Sequence, residues 1–145
     1  MSNSSKRIGL IAGHSGDALT DKLQERGYEV FLIAGKEGEP GTGTANSVLV
    51  TDLKNKEHIL DYFMEHDIKK IMIGTGNVLT LNLVKYLEDN GIKTSLDYKK
   101  SLLAKDKVLF KEKLIELGFQ TPKFLSFKGK KQWKKYIDEI GIPCV

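Results

Sequence analysis

Lys105-Asp106-Lys107-Val108-Leu109-Phe110-Lys111-Glu112-Lys113-Leu114-Ile115-Glu116-Leu117-Gly118-Phe119-Gln120-Thr121-Pro122-Lys123-Phe124 is the stretch on which the reading of this chain turns. Val108, Leu109, Leu114, Ile115 and Leu117 recur at roughly helical spacing, which predicts an amphipathic helix from Asp106 to Leu117. Gly118 suits the position just past a helix end, because a residue without a Cβ takes the left-handed conformation freely. Pro122 disfavours the helical region for Thr121, so the chain should leave as a linker or short strand. Taken alone this is one helix with a stop signal. Its meaning comes from what stands on either side.

Upstream, Ile8-Gly9-Leu10-Ile11-Ala12 is a short apolar run bounded by polar residues, the pattern of a parallel strand buried on both faces. Gly13-His14-Ser15-Gly16-Asp17 follows, then a helix ending at Arg26-Gly27, then a second apolar run from Glu29 to Gly35. Strand, glycine loop, helix and strand in that order make a βαβ unit. A second unit runs from the strand Lys69–Gly74 through the loop Gly74-Thr75-Gly76-Asn77. Its helix has Leu83, Val84 and Leu87 on the inner face and is closed by Asn90-Gly91, before a short strand Ile92–Ser95.

Between the units, Lys36 to Asn46 is a Gly-rich loop long enough to be either mobile or functional. Ser47–Val50 reads as a short strand. Lys56–His66 reads as a helix turning Ile59, Leu60, Phe63 and Met64 toward the sheet. The predicted fold class is α/β, an open, mostly parallel sheet flanked by helices. Downstream of Pro122, Phe124–Phe127 reads as a strand and Lys131–Ile140 as a helix with the stripe Trp133, Tyr136, Ile137 and Ile140. Ile142–Val145 reads as the start of another strand.

The 145 residues are 40% apolar and 29% charged, a globular profile. No apolar run approaches the roughly 20 residues that cross a bilayer, and Met1 to Arg7 is too polar to open a secretory signal. A cytoplasmic protein is expected. Cys144 is the single cysteine, which excludes an internal disulfide and a cysteine-based zinc cluster. His14, His58 and His66 lack metal-ligand spacing. No Ser-His-Asp or paired-carboxylate arrangement can be assembled, so no catalytic residue and no metal ligand is assigned. The net charge of +4 comes from lysines concentrated between Lys93 and Lys134. They are interleaved with Asp106, Glu112 and Glu116, and no Arg-rich or helix–turn–helix signal accompanies them. Nucleic acid is therefore not an expected partner.

In open α/β sheets ligands bind at the carboxyl ends of the strands. That rule selects Gly13, His14, Ser15 and Gly16 after the first strand, and Gly74, Thr75, Gly76 and Asn77 after the fourth, as candidate substrate-binding residues. Small residues and free N–H groups in such loops can cradle an anion. The first loop is neither G-x-G-x-x-G nor a P-loop. It is also readable as a tight turn, with Ser15 or Asp17 capping the helix. His14 suits donation to a carboxylate or phosphate, or simple exposure. Asn77 suits either a ligand or a cap. The two loops adjoin only if their strands are neighbours.

The order of parts resembles the ATP-grasp ligase superfamily, which includes biotin carboxylase, the carbamoyl-phosphate synthase large subunit and glycinamide ribonucleotide synthetase. Asp106-Lys107 matches the superfamily's Asp-Lys/Arg, and Gly118-Phe119-Gln120-Thr121-Pro122 its Gly-Ile-x-x-Pro. Gly141-Ile142-Pro143-Cys144-Val145 is similar to its Gly-hydrophobic-Pro-hydrophobic-Val. The resemblance implies a Rossmann-like pre-ATP-grasp domain at 1–98, a transition at 99–123, and the incomplete beginning of an ATP-grasp domain at 124–145, a short truncated αβα extension. It implies a parent enzyme that activates a carboxylate as an acyl phosphate for attack by an amine, with this chain inactive alone. Lys107 would contact an ATP phosphate, unless it is a solvated helix lysine.

ATP and Mg2+ are expected for the full-length parent and none for this chain, because the superfamily's second ATP-binding lysine and acidic Mg2+ ligands fall beyond the matched residues. The implied partners are the remainder of the catalytic region, in the same chain or a separate subunit, a small carboxylate substrate, and a second copy in a homodimer. The competing expectation is a stand-alone α/β module that binds an anionic metabolite or serves a separate catalytic subunit.

Overall fold

The apolar run at the amino-terminal end forms β1 (Lys6–Ile11), the middle strand of a five-stranded sheet in this computed structural model, which describes residues 6–127 and 133–141. The order is β3-β2-β1-β4-β5, with β2 at Tyr28–Ala34, β3 at Ser47–Val50, β4 at Lys70–Ile73 and β5 at Lys93–Thr94. Every pairing among the described strands is parallel. Leu10 lies opposite Leu32 on one side and Met72 on the other. Beyond the exposed Lys6 and Arg7 the strand is flanked on both sides and covered on both faces, which accounts for the apolar run from Ile8.

Alternation along the strands divides the core between the two faces. Val30 and Leu32 join Leu10, Ala12 and Leu23 under α1 (Gly16–Glu25), which follows a 3-10 turn at Gly13–Ser15. Phe31 and Ile33 join the larger cluster under α2 (Lys56–Glu65), α3 (Asn77–Thr80) and α4 (Leu83–Asp89). α5 (Tyr98–Lys105) follows β5. Phe63, Ile59, Leu83 and Leu87 are fully enclosed, and each contributes about 1.5–3 kcal/mol by leaving water. Gly9 permits the close approach of α2. A Cβ there would lie 2.5 Å from Ile71 Cγ2 and 2.7 Å from the Phe63 ring.

The structure differs from the sequence expectation at several points. On α2 it is Tyr62, not Met64, that faces the sheet: Met64 is 51% exposed, and the inward stripe runs through Ile59, Tyr62 and Phe63. The Tyr62 hydroxyl explains why the position reads as polar, and it is satisfied by donating to Ser47 Oγ at 2.8 Å. The single helix expected before Asn90 is two, α3 and α4, because Asn82 takes a left-handed conformation at φ +53°. Asparagine tolerates that region better than most side chains.

The Gly-rich loop before β3 is held by named hydrogen bonds. Asp17 Oδ1 accepts from Gly41 N–H at 2.5 Å, Gln24 Nε2 donates to the Thr44 carbonyl at 2.7 Å, and Asn46 Oδ1 accepts from Val30 N–H at 2.8 Å. Lastly, Phe124–Phe127 is not a strand, since no described segment pairs with it.

The chain divides into two compact units at Lys105 and Asp106. In the second, α6 (Lys107–Glu116) has the ends its sequence calls for. Asp106 accepts at Oδ1 from Val108 N–H (2.9 Å) and Leu109 N–H (3.2 Å), the N-cap arrangement. Gly118 takes φ +76°, with its N–H on the Ile115 carbonyl and the Phe119 N–H on the Leu114 carbonyl, both at 2.9 Å. That pair of bonds is the Schellman motif. Among the described residues α6 has no buried residue, and Leu109, Phe110 and Ile115 are exposed.

Lys111 Nζ donates to Thr121 Oγ1 at 3.1 Å and lies 5.3 Å from the centre of the Phe124 ring. α7 (Trp133–Ile140) stacks Tyr136 on Phe127, ring centres 5.0 Å apart. The expectations for residues 131–132 and 142–145 lie outside the described residues.

Candidate functional site

A strand order of 3-2-1-4-5 means that the chain winds outward from β1 to β3, returns, and continues on the other side at β4. The connections leaving β1 and β4 depart in opposite directions and leave a crevice at the carboxyl edge between them. Gly13 leaves β1 at φ +55°, and a Cβ on it would sit 3.6 Å from Thr75 Cβ and Oγ1. The Gly74 N–H donates to the Ile11 carbonyl at 2.8 Å. The two loops selected from the sequence therefore adjoin.

The crevice is a cleft of about 450 Å3. Ile11, Ile33, Leu53 and Leu81 supply its apolar lining, and Gly13, Gly35, Glu39, Asp52, Thr75 and Asn77 the rest. Of the eight loop residues selected from the sequence, Gly13, Thr75 and Asn77 line it. His14 and Ser15 are exposed and stand outside its lining. Ser15 occupies the N-cap of α1 without a side-chain cap bond, and Asp17, the other capping candidate, accepts from Gly41 instead. Gly16 is buried beneath the long loop, where a Cβ would fall 1.7 Å from the Pro40 carbonyl oxygen. Gly74 gives α1 room: a Cβ there would meet Leu19 Cδ1 at 2.7 Å. Gly76 is exposed, and Asn77 opens α3 with its N–H toward Thr75 Oγ1 at 3.5 Å.

Glu39 and Asp52 are the charged residues of the described lining, and neither is among the candidates the sequence selects. Glu39 Oε2 accepts from Gly35 N–H at 2.9 Å, and Asp52 Oδ1 accepts from Lys54 N–H at 2.9 Å. A signal for Asp52 was present, since it follows β3 at the carboxyl edge where the other two loops were sought. Glu39 sits in the loop singled out for its length, but nothing local marks it within that loop.

Lys107 is the first residue of α6 and is exposed. Among the described residues there is no group of three or more His, Cys, Asp or Glu able to hold a metal ion. No helix among them is long and apolar enough to cross a membrane.

No family model matches the chain. It is 28% identical over 126 residues to the C-terminal section of the carbamoyl phosphate synthase large chain from Aquifex aeolicus, covering 85% of this chain and 23% of that one. It is 27% identical over 146 aligned positions to the phosphoribosylamine–glycine ligase of Streptococcus suis, covering 94% of this chain and 33% of the relative. Both relatives are ligases of the kind the ATP-grasp superfamily comprises, and it is to that superfamily that the chain is similar. Its fold is shared by solved structures. N5-carboxyaminoimidazole synthetase from Staphylococcus aureus, complexed with ADP, superposes with a TM-score of 0.76 at 21% identity, over 92% of this chain and 36% of that one. The chain thus spans a third or less of the length of these curated relatives.

Proposed function

We propose that this chain supplies the amino-terminal part of an ATP-dependent carboxylate–amine or carbamoyl-phosphate synthase-like ligase and is inactive without the remaining ATP-grasp region, in the same chain or a separate subunit. Residues 1–98 are the pre-ATP-grasp-like domain of this reading, 99–123 the transition, and 124–145 the beginning of the ATP-grasp domain. The observation that carries it is the Asp106-capped helix with Lys107 at its first position, following a 3-2-1-4-5 parallel sheet, in a chain similar to carbamoyl phosphate synthase over most of its length.

In such a ligase the γ-phosphoryl group of ATP passes to a carboxylate oxygen and ADP leaves. The amine then forms the new bond to the acyl carbon and phosphate departs. The exposed ammonium of Lys107 suits contact with an ATP phosphate, where it would offset charge on the transferring group. The acidic ligands for Mg2+ would come from the remaining region.

Calorimetry with Mg-ATP tests the reading on these 145 residues and on the longest chain the gene encodes. Binding by the longer chain alone, weakened about tenfold or more by Lys107→Ala, is the expected result. Tight binding by the 145 residues alone would overturn it. That result would favour the second reading, a stand-alone α/β module, which has its own support in a cleft whose described lining belongs to the first unit.

A further inference from the structure

The charge of the cleft runs against the ligand first expected in it. Two carboxylates line it, from separate loops after β2 and β3, and among the described residues no lysine, arginine or histidine does. Each carboxylate is oriented through one oxygen only, Glu39 by Gly35 N–H and Asp52 by Lys54 N–H. Among the described residues neither is paired with a basic side chain. Glu39 Oε1 and Asp52 Oδ2 take no hydrogen bond there. A fixed acceptor with an unused oxygen favours a donor. Two of them, with no cation in the lining, disfavour an anion through like-charge repulsion and the loss of its hydration. The apolar lining from Ile11, Ile33, Leu53 and Leu81 favours a compact hydrocarbon body.

We propose that the cleft binds a ligand presenting hydrogen-bond donors, hydroxyls or a protonated amine, on a compact apolar body, and turns away carboxylates and phosphates. This rests on the reading of the cleft as a ligand site. Within the ligase reading it assigns the cleft to the nucleophile-bearing substrate and places the acid elsewhere.

The test holds the ring constant and changes the head group. The 15N-labelled 145-residue chain is titrated with cis-1,2-cyclopentanediol, cyclopentylamine, cyclopentanecarboxylate and inorganic phosphate, and amide shifts are followed. Saturable shifts at Gly13, Gly35 and Thr75 with the diol or the amine, and none with the two anions at equal concentration, are expected. The diol and the amine distinguish a polyol from a cationic ligand. Glu39→Gln and Asp52→Asn keep an oxygen acceptor for their backbone N–H partners, and each should weaken the donor probe about tenfold. Shifts of the same amides by the carboxylate or phosphate, no shift with either donor, or unchanged donor affinity in both variants would overturn the proposal. No ATP is present, so a failed Mg-ATP experiment removes the ligase reading and leaves this result standing.

Discussion

Tyr62 shows how one polar atom can hide a core residue. Its ring is buried between α2 and the sheet, with its centre 6.4 Å from that of Phe31, and its hydroxyl reaches Ser47 on the edge strand. Burial pushes the phenol above its ordinary value of 10.0, and the hydrogen bond with Ser47 offsets part of that rise. A group whose folded-state pKa is raised stabilises the fold fully below its unfolded pKa and loses that contribution as pH rises through the folded value. The Tyr62 contribution is therefore intact up to about pH 10 and declines above it. Tyr62→Phe should cost about 1 kcal/mol at neutral pH through the lost hydrogen bond. It should also flatten the alkaline decline relative to the unmodified protein. Urea midpoints of both proteins at pH 7 and above pH 10 check this, and equal alkaline slopes would contradict it.

At the scale of elements, α6 is the best case for local reading. Asp106→Ala removes the acceptor of two N–H groups and should cost about 1 kcal/mol of helix stability, seen as faster hydrogen exchange at Val108 and Leu109. No change at those amides would contradict the cap. The ends of α6 were legible because Asp106 and Gly118 act within three or four residues of themselves. β1 and β4 were legible for the same reason, as short apolar runs between polar residues.

The left-handed Asn82 was not legible, since an asparagine inside an apolar-periodic stretch reads as helix. Nor was the missing strand at Phe124–Phe127, because strand formation needs a partner that local pattern cannot supply. The site divides along the same line. Gly13, Thr75 and Asn77 follow from the rule about strand ends, whereas Glu39 reaches the cleft only because Asp17 and Gln24, on a different element, fix the loop that carries it.

Across the whole chain the buried apolar residues run from Leu10 to Ile92. The second unit has helix caps, a stacked aromatic pair and lysine contacts, but no buried residue among those described. Native-state hydrogen exchange should therefore find its slowest amides in β1, β2 and β4, and should find α6 exchanging orders of magnitude faster through local opening. Equal protection in α6 and β1 would contradict this distribution.

The place of β1 between β2 and β4 also bears on how the protein is made. One flank of β1 can be paired once residues 28–34 have been synthesised, but Ile11 meets Ile73 only when a segment about 60 residues further on has emerged. At about 5–20 residues per second on the ribosome, that interval is roughly 3–12 seconds. For that time the nascent chain carries an apolar strand with an open edge, the kind of segment a chaperone binds.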